Sequence, residues 1–401
     1  MMTTRLPLAL LASSVLVLSL DACHLVSGVN ELEVATVTAT GATGGMTTSS
    51  VGGSNANSTT STGTAVTSGG GGAAASTGAG GASSVGSGST GSGGAAPIVQ
   101  PSCAGDGTLC GTAMVDCCTS DLIPGGVFNR NFDAAFPATV SPFRLDRFEV
   151  TVGRFRKFVA ATSDESNPWT PPKGSGKHAH LNQGKGLTNE IGWASPSWNL
   201  QVPVTKASWD VDLACATDTT KGYQTWTPSA GANEKKPING VSWFEAYAFC
   251  IWDGGFLPTD NELDFAAATT MNFEYPWGPP DAPDSTRAVF NCNQGCNKTS
   301  AAMLAVGSLP KGTGFFGSAD LAGNVAEWSL DVFSAKSALV KPCTDCAVVP
   351  PSDVTPSTLS IQRGGSFGTG TSKEVGKFAD RQPQVMGTRG SAIGVRCAYQ
   401  P

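Results

Sequence analysis

The chain has 401 residues, a formal net charge of −6, only 14% charged residues, 50 glycines and 12 cysteines. So mild a charge, with no basic run and no basic–aromatic stripe, excludes a nucleic-acid-binding surface. Twelve cysteines point to an oxidising compartment and disulfides.

The first segment carries one positive charge, Arg5, before an apolar run from Leu6 to Leu20 broken only by serines. That run is short for a membrane span and suits a secretory signal. It ends Leu20-Asp21-Ala22-Cys23, which resembles a bacterial lipoprotein cleavage site, so residues 1–22 are read as a signal peptide and Cys23 as the lipidated residue. The chain is then expected in the cell envelope, lipid-anchored at the outer membrane or cell surface. Ordinary secretion is the alternative, although Leu20 is too large for the usual small-residue cleavage site.

From Val34 to Gly105 there is no Asp, Glu, Lys or Arg, and Gly, Ser, Thr and Ala dominate. Such a segment cannot bury enough apolar surface to offset its ordering entropy, so residues 23–98 are read as a flexible linker. About 60 such residues span roughly 40 Å on average and about 200 Å at full stretch, a reach that fits a tether. Residues 99–120 form a cysteine-rich lead-in, in which Cys103, Cys110, Cys117 and Cys118 read as a small disulfide knot.

Residues 121–401 bring aromatics, charges and prolines, and are long enough to bury one sizeable core. Phe148-Glu149-Val150-Thr151 is a short β-prone run, and Thr151 can cap a helix over 152–161 that buries Phe155, Phe158 and Val159. Ser242-Trp243-Phe244-Glu245 is a capping box that opens a helix over 243–252, stopped at Gly254-Gly255. Thr259-Asp260-Asn261-Glu262 repeats the box for a helix over 260–268, with acids in its first turn. Few long helices among many irregular loops argue for an α+β fold. Cys292, Cys296, Cys343 and Cys346 have CxxxC and CxxC spacings that could hold zinc, but in an exported chain two disulfides are the stronger reading. With Cys23 set aside, eleven cysteines leave one unpaired, and Cys215 is the isolated candidate.

Several motifs fall in a recognisable order. Phe143 to Thr151, Pro237-Ile-Asn-Gly-Val-Ser-Trp243, Leu257-Pro-Thr259 with Glu262, and Tyr275-Pro-Trp-Gly278 lead the series. Gly323-Asn-Val325 with Glu327-Trp328, Arg363-Gly-Gly-Ser366 and Ile393-Gly-Val-Arg-Cys397 complete it. Over roughly 260 residues the chain resembles the formylglycine-generating enzyme, or sulfatase-modifying factor, family. The resemblance implies a divergent C-type-lectin-like α+β domain, a Cys250–Cys397 disulfide and a structural Ca²⁺. Mapped onto this sequence, the ion would be held by Asp320, the Gly323 and Val325 carbonyls, and Glu327, a mix of oxygens that suits a hard cation. The family oxidises a cysteine of sulfatases to an aldehyde with a reactive cysteine pair just after its Arg-Gly-Gly-Ser motif. Here those positions fall near Thr369 and Glu374, whose hard oxygens suit copper poorly, and two further departures are Phe256 before Leu-Pro-Thr and Ala326 after Gly-Asn-Val.

Iron-dependent relatives of the same fold use histidines, but this chain has only His24, His178 and His180. The pair at 178 and 180 is read as a solvated loop pair. No catalytic residue is therefore assigned. The expectation is a monomeric, non-catalytic recognition or scaffold module that binds a protein, peptide or glycan, with a formylglycine-generating or related metal-dependent oxidoreductase acting on protein cysteine as the alternative.

Overall fold

A computed structural model describes residues 100–105, 107–181, 190–214, 222–279, 282–292, 300–370 and 381–401. Cys23, the linker over 23–98, Cys215, Cys296 and Glu374 lie outside these residues. Among the described residues no helix is long and apolar enough to cross a membrane.

Among the described residues, twelve short strands and four α-helices alternate irregularly. A hairpin of β1 (Leu109–Cys110) and β2 (Val115–Asp116) begins the described chain. Next come β3 (Ser120–Ile123), β4 (Gly126–Asn129), β5 (Pro137–Val140) and β6 (Phe143–Asp146). Helix α1 (Val152–Thr162) starts where the Thr151 hydroxyl accepts the Arg154 N–H. Helix α2 (Lys206–Leu213) is capped in the same way by Thr205. Both reciprocal capping boxes form, opening α3 (Trp243–Trp252) and α4 (Asp260–Ala268). The remaining strands are β7 (Ala326–Val332), β8 (Cys343–Thr344), β9 (Leu359–Arg363), β10 (Gln382–Val385), β11 (Ile393–Gly394) and β12 (Ala398–Tyr399).

The largest sheet has the order β10-β9-β7-β11, with β11 parallel to β7 and the other pairs antiparallel. Two three-stranded sheets have the orders β12-β6-β3 and β4-β5-β8. Helices and mixed sheets interleave as the α+β expectation requires.

The core is aromatic. Phe155 of α1 stacks on Phe249 of α3 with ring centroids 5.3 Å apart, and Phe158 meets Trp209 of α2 edge-on at 5.5 Å. Helix α3 is buried on every face from Trp243 to Cys250, which is why its sequence is apolar all round. Cys250 and Cys397 are joined by a disulfide across 147 residues, fixing α3 to the C-terminal strand region.

Candidate functional site

The Arg363-Gly-Gly-Ser-Phe367 segment leaves β9 as a tight turn. Gly364 and Gly365 have φ of 87° and 68°, and a Cβ on Gly364 would stand 2.7 Å from the Leu321 carbonyl oxygen. Only glycine fits that approach. The Gly323 N–H donates to the Gly364 carbonyl at 2.9 Å, and the Phe367 N–H donates to the Asn324 carbonyl at 2.9 Å. The two family-like motifs thus build one another's backbone.

Beyond Phe367 the chain closes on itself. The Thr369 N–H donates to the Ser366 carbonyl at 3.0 Å, and the Thr369 hydroxyl accepts the Ser366 N–H at 2.9 Å. The Thr369 carbonyl accepts the Asn291 N–H at 2.8 Å. Every polar group of Thr369 therefore takes part in holding the turn.

Arg363 anchors the turn from below. Its Nε donates to Asp260 Oδ1 at 2.5 Å and its Nη2 to Asn131 Oδ1 at 2.9 Å. Arg381 donates to the other Asp260 oxygen at 2.7 Å. Burial alone would raise the Asp260 pKa, but Arg363 and Arg381 hold it below the usual aspartate range. Asp264, on the same helix, is pushed by burial up to about 6, with Arg363 opposing the rise.

The expected cation segment lies against this turn. Asp320 has φ 56° and its Oδ2 accepts the Gly307 N–H at 2.5 Å. Glu327 is gripped by Arg396, whose Nε reaches both carboxylate oxygens at 3.0 and 3.1 Å and whose Nη2 donates to Oε1 at 2.7 Å. The remaining Arg396 donors go to the carbonyls of Asp146, Arg147 and Ala319.

Sequence reading missed a third acid here, Glu149. Its two oxygens accept the Asn324 side-chain amide at 2.7 Å and the Val325 N–H at 3.1 Å. An acid set between Phe148 and Val150 in a short β-prone run was the available signal. Glu149, Asp320 and Glu327 are all buried, and Arg396 pairs with Glu327. Burial, then Asp320 and Glu327, push the Glu149 carboxyl well above its ordinary range, and burial pushes Asp320 up to about 6. A cation bound here would favour the charged forms of Glu149 and Asp320 that burial disfavours. Side chains alone do not supply a site: among the described residues no group of three or more His, Cys, Asp or Glu is placed to hold a metal ion. The Gly323 and Val325 carbonyls would have to complete it.

The histidines overturn one expectation. His178 and His180 are buried, not solvated. His178 Nδ1 lies 3.1 Å from Glu190 Oε1 and its Nε2 lies 3.1 Å from Glu262 Oε2, while His180 Nε2 lies 3.1 Å from Glu262 Oε1. The capping-box glutamate of α4 draws both rings inward, a partnership across more than 80 residues that spacing could not announce.

The described cysteines are all disulfide-bonded. Cys103–Cys118 and Cys110–Cys117 form the lead-in knot, and Cys343–Cys346 close on each other. Cys292 is also disulfide-bonded. The zinc alternative fails on this chemistry, because a disulfide sulfur is not a thiolate ligand. A cavity of about 380 Å³ between the lead-in and α1 is lined in part by Cys117, Cys118, Arg154, Arg156 and Glu234, and both of its cysteines are in disulfides.

Comparison with known proteins defines the class. Residues 110–401 match the sulfatase-modifying factor enzyme 1-like domain, and the chain belongs to that family. Among curated relatives it is 30% identical over 230 residues to the mouse inactive C-alpha-formylglycine-generating enzyme 2, covering 53% of this chain and 68% of that protein. It is 27% identical over 303 residues to the formylglycine-generating enzyme of Thermomonospora curvata, covering 70% and 92%. Among solved structures, PvdO from Pseudomonas aeruginosa aligns with a TM-score of 0.44 at 17% identity, covering 70% of this chain and 94% of that one.

Proposed function

We propose that this chain is a tethered, non-catalytic recognition or scaffold module built on the sulfatase-modifying factor domain. The observation that carries the reading is the turn at Thr369. Its N–H, carbonyl and hydroxyl are all used in closing the backbone. No cysteine occurs between Arg363 and Arg396, and the nine described cysteines are disulfide-bonded. Thiol chemistry needs a thiolate, and a threonine hydroxyl is a hard donor that holds Cu(I) poorly. Similarity to a relative named as inactive supports the same reading.

In this reading Cys23 carries a lipid, the linker over 23–98 holds the domain away from the envelope membrane, and the ligand is a protein, peptide or glycan. A structural Ca²⁺ at Asp320, Glu327 and the Gly323 and Val325 carbonyls favours the charged form of Asp320 that burial disfavours. Its role is stability, since Asp320 and Glu327 are tied into the Gly307 backbone and Arg396.

Native alkylation followed by peptide mass mapping tests the thiol argument. Label confined to Cys215 is the expected result. Alkylation of a cysteine in the stretch before Thr369, such as Cys292, would return a thiol to the turn and favour the oxidoreductase reading.

A further inference from the structure

Four buried side chains away from the Thr369 turn cluster together: His178, His180, Glu190 and Glu262. The two ring nitrogens of His178 face different carboxylates, Glu190 at Nδ1 and Glu262 at Nε2, each at 3.1 Å. The His178 backbone N–H also donates to Glu190 Oε2 at 2.8 Å. Glu262 meanwhile accepts the Thr259 N–H at 2.7 Å, as the reciprocal half of the α4 cap. A neutral imidazole has one N–H and one lone pair, so it can donate to only one of these glutamates and must aim its lone pair at the other. In a buried setting that arrangement sets lone pair against carboxylate, which is costly. The geometry fits a ring protonated on both nitrogens.

We propose that His178 is an electrostatic latch, its imidazolium joining the chain around His178 and Glu190 to the first turn of α4, so that loss of one proton from this ring releases the attachment. The groups facing the ring are Glu190 from its own stretch, Glu262 from α4, the His180 ring edge-on at 5.7 Å, and the uncharged Phe256 ring at 3.9 Å. From α3, the Tyr247 hydroxyl donates to the Gly176 carbonyl at 2.9 Å, two residues before the latch. Burial alone would lower the His178 pKa, but Glu262 and Glu190 outweigh it and push it up to about 10. The latch is therefore shut at neutral pH and opens on the alkaline side. Because Asp260 stands in the same helical turn as Glu262 and holds Arg363, the latch bears on the helix end that positions the Arg-Gly-Gly-Ser turn.

The chain has only three histidines, so its ring nitrogens can be followed individually by ¹⁵N NMR on the whole protein. At about pH 8 His178 should show two protonated ring nitrogens, and Glu190→Gln should lower the pH of its deprotonation by about one unit or more. A single neutral tautomer at that pH, or an unmoved titration in Glu190→Gln, would overturn the latch. His178→Gln should also raise hydrogen exchange at residues 174–181 and 190–193 by about tenfold or more at neutral pH while leaving α1 unchanged. Equal exchange in the two proteins would count against it. If His178→Gln does not fold, the ring titrations still decide.

Discussion

The Cys250–Cys397 disulfide should contribute far more stability than Cys343–Cys346, and the difference can be worked from loop length. The first closes 147 residues and the second only 3. In the chain-entropy description, cross-linking a loop of about 150 residues restricts the unfolded chain by about 5 kcal/mol, whereas a loop of three or four residues yields about 2 kcal/mol. All four sulfur-bearing residues are buried, so replacing either pair by alanine also removes packing, and that loss largely cancels in the comparison. The difference should therefore be about 3 kcal/mol, a factor of roughly a hundred in the folding equilibrium. Urea unfolding of the two double-alanine variants, compared at equal slope, measures it. Equal losses, or a larger loss from the Cys343–Cys346 pair, would refute the entropic reasoning.

Arg363→Met should destabilise the domain by about 1–3 kcal/mol, since it leaves the buried Asn131 without its guanidinium partner and Asp260 with Arg381 alone; no change in urea unfolding would contradict the anchoring role. If Ca²⁺ binds at Asp320 and Glu327, saturating chelator should lower the thermal midpoint, and Asp320→Ala should abolish the difference. Stability should also fall on the alkaline side. The folded pKa of His178, about 10, lies above its unfolded value of about 6.5, so its contribution is fully present below that lower value and is lost as pH rises through about 10. The expected slope is up to about 1.4 kcal/mol per pH unit, and denaturant titrations across this window should find it flattened in His178→Gln. Cys23→Ala should shift the protein from the membrane to the soluble fraction on cell fractionation, and an unchanged distribution would argue against the lipid tether.

The helices were legible because their signals are local. A capping box spans three residues, and those at Ser242 and Thr259 form with both reciprocal bonds. Helix α2 carried a comparable cue, Thr205 accepting from Ser208, without a strong apolar stripe to draw attention to it. The charged networks were not legible, because their partners meet only after folding. Arg396 reaches Glu327 across 69 residues, and Val325 reaches Glu149 across 176. Two-residue ladders such as β5 with β8 leave almost no period to read. The histidines show the same limit: a short His-x-His in a loop reads as solvated until Glu190 and Glu262 close around it.

The most direct test offers the purified chain a sulfatase-type cysteine peptide with copper and oxygen and traps any aldehyde with a hydroxylamine probe for mass spectrometry. Hydrogen abstraction on two thiolates is the chemistry the family resemblance implies, and at Thr369 this chain presents a hydroxyl already used to close a turn. Aldehyde no higher than the no-protein control is the predicted result, with a sulfatase-modifying enzyme in parallel as the positive control. Turnover above that control, abolished by replacing any one cysteine of this chain, would contradict the non-catalytic reading.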